Sequence, residues 1–172
     1  MSISKGDARD KALREQLRKL LDFGDAHVTF DDAIKNLPAK LRGVKPDRLP
    51  YSIWQLVEHL RLVQFDILDF CVNPDYEEPT FPDDYWPKPA ADADAAEPPS
   101  SKAWTDSLAQ LRRDRKALAA LLDDRDLDLF AKIPHGSGQT YLREFILVAD
   151  HTAYHLGEIV AIRRLLGAWP AS

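Results

Sequence analysis

Apolar residues recur at helical spacing in five stretches of the chain. Over residues 7–23, Leu13, Leu17, Leu20 and Leu21 fall on one side, Arg14, Arg18 and Lys19 turn away, and Gly24 supplies the stop. A shorter helix is predicted over 30–37, with Thr29 as its cap, Asp32 at the capping-box position and Phe30, Ile34 and Leu37 as its apolar side. Pro38, Gly43, Pro46 and Pro50 keep residues 38–51 out of regular helix. The next long helix covers 52–72. Ser52 and Gln55 form a capping box there, Ile53, Leu56, Val57, Leu60, Ile67 and Leu68 make a broad apolar side, and Pro74 closes it.

Residues 74–100 break the pattern. The segment NPDYEEPTFPDDYWPKP is aromatic and proline-rich, which predicts an ordered loop packed on the helices. AADADAAEPPSS is poor in large apolar residues, which predicts a mobile loop over 88–101. Tyr76, Phe81, Tyr85 and Trp86, with Pro87, read as anchors for the ordered part; a cover over an active-site mouth is the alternative. A third long helix starts at Ser100 or Ser101 and runs to about Asp124, burying Trp104, Leu108, Leu111, Leu118 and Leu122. After a turn-rich connector containing PHGSGQ, Thr140 caps a last helix that runs to about Leu166, ended by Gly167 and Pro170. This helix is apolar almost all the way round. Only Arg143, Asp150, Gly157, Ala161 and Arg164 share a thin polar strip, so the helix is central or part of a subunit interface. No convincing strand alternation appears. The expected fold is a single all-α domain over 1–172: a four-helix bundle with a short extra helix and a long loop between the second and third long helices.

The formal net charge of −5 argues against a nucleic-acid partner. The basic run Arg112, Arg113, Arg115 and Lys116, broken by Asp106 and Asp114, reads as a solvated helix face. With one cysteine no intramolecular disulfide forms, and Cys71, between Phe70 and Val72, reads as a packed thiol in a reducing compartment. The polar start MSISKGDARDK lacks a signal-peptide run, and no segment reads as approaching the ~20 apolar residues of a membrane span. A cytoplasmic, non-membrane protein is expected.

His151 and His155 are one helical turn apart, on a side shared with Leu147, Val148 and Ile162 rather than on the polar strip. Imidazoles on a face that should be buried need partners, and a metal ion supplies one. A third ligand has three candidates. His27 and His135 lie in connectors, and His135 precedes a helix in which His151 sits ~16 Å deep, so His59 is the best choice. It shares a stripe with Gln55, Val63, Asp66 and Phe70. Three protein ligands leave positions for water or substrate. The competing reading is a hydrogen-bonded histidine pair without metal and a solvent-facing His59 beside Gln55, Asp66 and Asp69.

The segments WQLVEHLRLVQ, with His59, and ADHTAYHLGEIVAIRRLLG, with His151 and His155, resemble the two motifs of the DinB-like superfamily, whose relatives include the YfiT-type thiol transferases. The resemblance runs from about residue 7 to residue 170. It implies that His59, His151 and His155 are a metal triad, usually holding zinc or nickel. It further implies a metal-dependent enzyme, a thiol S-transferase using a low-molecular-weight thiol on a small-molecule substrate. A metal-dependent hydrolase and a non-catalytic metal-binding stress-response protein are the alternatives. One departure is Glu158, where many relatives carry Gln three residues after the last histidine. Glu158 is the candidate catalytic residue, as general base, with a hydrogen-bond acceptor behind the ligands and an extra ligand as other roles; a surface pair with Arg163 or Arg164 would give it none of them. Gln55, Asp66 and Tyr154 are candidate pocket residues, Tyr154 more as wall than as catalyst. A homodimer is expected from the apolar last helix and from Trp54 and Phe65, on the far side of their helix from His59. Relatives that pair through bundle helices imply the same. A monomer follows instead if the short helix and aromatic loop cover those residues.

Overall fold

The computed structural model describes residues 5–22, 26–88, 97–98 and 100–169. Among the described residues, five α-helices follow in order: α1 (Lys5–Asp22), α2 (Phe30–Ile34), α3 (Ile53–Val72), α4 (Ser101–Asp123) and α5 (Tyr141–Leu165). Among the described residues there is no strand, only an isolated bridge between Lys132 and Thr140. The expected all-α bundle is what the chain forms. Gly24, Pro170 and most of the stretch read as mobile, 88–101, lie outside the described residues.

The starts of α2 to α5 follow from their caps. The Thr29, Ser52, Ser100 and Thr140 side chains each accept a backbone N–H of the first turn, and Ser52 with Gln55 completes a reciprocal capping box. Helix α2 stops three residues short of expectation. Asn36 adopts a left-handed φ of 57°, which no helix continues, although Leu37 stays buried. Helix α5 closes on Gly167 at φ 63°, with the Ala168 N–H donating to the Arg163 carbonyl.

Two apolar clusters stack along the bundle. One joins α2, the first halves of α3 and α4 and the last half of α5; the other joins α1, the later halves of α3 and α4 and the start of α5. Helices α3 and α4 therefore run parallel, and α5 runs against both. A parallel pair forces the intervening chain back along the whole length of α3, ~30 Å. That is the physical reason for the long loop between them.

Several side chains sit elsewhere than the sequence suggests. Arg14, read as turned away, is buried; its guanidinium donates to the Leu122, Asp124 and Leu127 carbonyls, 2.5–2.9 Å away, and so caps the end of α4. Arg163, fully buried, donates to the Ala33 and Ala168 carbonyls and ties α2 to the chain after α5. Arg112 and Arg115 are exposed or near-surface groups that reach Asp31 of the segment carrying α2, whereas Asp114 is buried and accepts from Gln110. Trp54, expected on an exposed patch, is 6% exposed and packs on Trp104 at 6.4 Å. Helix α4 covers that side of α3 at Trp54, whereas Phe65, at 47%, remains exposed. Helix α5 is long and apolar enough to cross a membrane by length and composition, contrary to the sequence reading. Yet 44% of its most apolar window is buried within the protein, and it belongs to both core clusters, as a central bundle helix does.

Cys71 is 4% exposed, and burial, with Glu144 adding to it, pushes its thiol up to about 12. Almost no thiolate, the reactive form, exists at pH 8. Iodoacetamide should therefore leave the native protein unlabelled and modify one site after denaturation. Rapid labelling of the native fold, read by intact mass, would contradict this packing.

Candidate metal centre

His59 lies in the second turn of α3, and His151 and His155 lie in the middle of α5. Because the two helices are antiparallel neighbours, the three imidazoles meet between them. One ligand nitrogen from each lies within 4.8 Å of the others. His59 and His155 are buried and His151 is half-buried. His59 Nε2 and His151 Nε2 are 3.1 Å apart. Ligand arms of ~2.0–2.1 Å place two nitrogens ~3.3 Å apart around a tetrahedral ion, so the spacing suits a shared cation.

The outward nitrogens show which inward ones are bare. His59 Nδ1 donates to the Tyr85 carbonyl at 2.6 Å, and His155 Nδ1 donates to Glu158 Oε2 at 2.6 Å. Each of these two rings then turns an unprotonated Nε2 inward, the arrangement by which outer hydrogen bonds orient metal-ligating histidines. The electrostatics agree. Burial lowers the His59 pKa, with the Tyr85 carbonyl and Glu158 opposing. Burial, then the neighbouring histidines, takes His151 down to about 4, and burial followed by His59 takes His155 to about 4. At neutral pH all three rings are neutral, as ligation requires. Three neutral imidazoles, two buried and one half-buried, with convergent ligand nitrogens could hold a divalent metal ion.

The other candidate residues are dispersed. Glu158 pairs with His155 rather than with an arginine; Arg163 is engaged elsewhere, and Arg164 lies over the Trp169 ring. Gln55 spends its side-chain carbonyl on the Ser52 N–H, as a helix cap. Tyr154 is 67% exposed, with its ring edge-on to His155 at 4.9 Å. Asp66 lines a cavity of about 400 Å³ together with Phe70, Tyr76, His135, Arg143 and Glu144, and accepts hydrogen bonds from the Tyr76 and Tyr85 hydroxyls. His135 is outside the triad, as expected, with Nε2 donating to the Phe70 carbonyl; His27 contacts the Val28 carbonyl.

The aromatic loop, read as an anchor or as a cover over the site, supplies a ring that lies against a candidate ligand. Trp86 stacks on His59 with ring centroids 3.9 Å apart and 2° between planes, and Tyr51 stacks on the other side of Trp86 at 4.1 Å. The anchoring role expected of the loop aromatics holds for Tyr76, Tyr85 and Trp86, whereas Phe81 is 77% exposed. The clustering of aromatics marked the loop, but the Tyr85 backbone carbonyl carried no signal, since every residue has one.

No curated protein and no solved structure matches the chain. A family profile does match, over residues 23–159, a span that contains all three histidines and Glu158. The chain is a member of the DinB superfamily.

Proposed function

We propose that this protein holds one divalent ion, zinc or nickel, with His59, His151 and His155, and is a metal-dependent enzyme of the thiol S-transferase kind in the cytoplasm. The observation that carries this reading is the convergence of three neutral imidazoles, two with their outer nitrogens committed to acceptors. Such an ion supplies Lewis acidity, the chemistry that activates a thiol from the low-molecular-weight pool. The chain's own contribution is orientation and exclusion of water. Trp86 covers His59, and Glu158 holds the proton on His155 Nδ1 and keeps Nε2 a lone-pair donor. Exposed Tyr154, beside His155, stands where a small substrate would arrive.

A non-catalytic metal-binding role is the second reading. It is favoured by Glu158, whose hydrogen bond to His155 suits a supporting acceptor better than a general base. Protein purified without a histidine tag should carry one equivalent of zinc or nickel per chain, and a screen of small thiols against electrophiles should show metal-dependent turnover. Metal without turnover selects the second reading; no binding of added zinc or nickel removes both. The same reading includes a homodimer, supported by exposed Phe65 on α3 and Ile146 and Leu165 on α5. Light scattering at micromolar concentration should give twice the 19.5 kDa chain mass, and a mass near one chain would refute the dimer.

A further inference from the structure

A neutral imidazole has two tautomers and a freely turning ring, so a histidine ligand binds well only if something selects one of each. For His59 both selections come from two consecutive loop residues. The Tyr85 carbonyl accepts from Nδ1 at 2.6 Å, which demands that this nitrogen carry the proton. Trp86 lies parallel to the ring at 3.9 Å, which fixes its plane, and is itself backed by Tyr51 at 4.1 Å and 13°. Trp86 also presents its ring perpendicular to His155, 6.3 Å away. One loop thus touches ligands from both helices.

A loop can do this only if it is held down. The fastening point is Asp66, seven residues beyond His59 on α3, ~10 Å along the helix. Its two carboxylate oxygens accept the Tyr76 hydroxyl at 2.7 Å and the Tyr85 hydroxyl at 2.9 Å. Tyr85 therefore spans the distance: its hydroxyl is tied to Asp66 while its carbonyl orients His59.

We propose that Asp66, Tyr85 and Trp86 are positioning residues of the metal centre, with Asp66 acting on metal affinity through the seating of the 76–86 loop and not through any contact with the ion. This rests on the metal reading above. It converts Asp66 from a pocket residue into a remote determinant of His59 geometry. It also makes the coupling reciprocal: what seats the loop favours the ion, and the ion favours the seated loop.

Zinc affinity, measured on the full chain by competition with a chromophoric chelator, tests this. Asp66→Ala and Trp86→Ala should each weaken zinc by about 10–100-fold, the range for groups that orient metal ligands, while Trp86→Phe, which can still stack, should stay within about threefold of wild type. The double variant Asp66→Ala/Trp86→Ala should lose clearly less than the product of the single losses, because both act through one loop. Tyr76→Phe/Tyr85→Phe keeps both rings and removes only the hydroxyls. It should reproduce the Asp66→Ala loss, and it serves in its place if the alanine variant does not fold. In metal-free protein, nitrogen NMR of the imidazoles should show His59 protonated at Nδ1 in wild type and a tautomer mixture in the alanine variants. Folded variants with zinc affinity within about twofold of wild type and an unchanged His59 tautomer would overturn the proposal, and losses that multiply fully would overturn the route through the loop. Should the wild-type protein bind neither zinc nor nickel, the metal reading fails by itself, and the His59 tautomer in wild type and variants decides whether the loop positions this ring.

Discussion

His151→Ala should abolish stable metal binding and leave the helical bundle standing. Removing one of three ligands takes away a direct bond to the ion, so the loss should exceed the roughly hundredfold attributable to outer groups. The fold should not need the ion, because the two core clusters are built mainly from leucine, isoleucine, valine and aromatic side chains. Metal content and far-ultraviolet circular dichroism on the same sample test both halves. A second signature is thermal. At a free zinc concentration ~100 times its dissociation constant, wild type should gain about 2.7 kcal/mol of stability by mass action, and the variant should gain none. Loss of the helical signal in His151→Ala would mean that the ion is structural.

Phe145→Ala should be the most damaging single change in the core. Phe145 is 1% exposed and sits among Leu17 and Leu21 of α1, Leu118 and Leu122 of α4, and Leu129 and Ile133 of the connector. Truncation removes contacts to three parts of the chain at once and leaves a cavity that rigid helices cannot close. The cost for such a site is about 3–5 kcal/mol, and in a domain of this size each kcal/mol lowers the melting temperature by ~2–4 °C. A calorimetric drop on the order of 10 °C is expected, with Phe65→Ala as the contrast. Phe65 is about half exposed, so its truncation should cost less than ~0.5 kcal/mol in a monomer. A large, concentration-dependent loss from Phe65→Ala would instead mark an interface between copies.

The long helices were legible because each buries one broad stripe, and the stripe is written in the spacing of leucines. What the wheel of a single helix cannot show is how many neighbours that helix has. Helix α3 packs α5 on one side and α4 on another, so Trp54, placed opposite His59, is as buried as the stripe itself. Arg14 and Arg163 were opaque for a related reason. Most of their partners are backbone carbonyls, all but that of Ala168 far away in the chain, and a carbonyl leaves no trace in residue identity. The histidine triad was readable from its spacing and from the resemblance together, since the turn that separates His151 from His155 fixes their common face. The contact that sets the His59 tautomer was not readable, because it comes from a peptide oxygen delivered by an irregular loop.

The antiparallel meeting of α3 and α5 also sets when the site is born. His59 and its loop are synthesised about 3–18 s before His151, at the usual ~5–20 residues per second. The partners lie 92 residues apart in the hydrogen bond between His59 and His151. No two-ligand half-site from the last helix exists until α5 has emerged, and α5 is also the helix that joins both core clusters. Any ion that the three histidines hold is thus captured late in the life of each chain, not before the helix that completes both the site and the core has emerged.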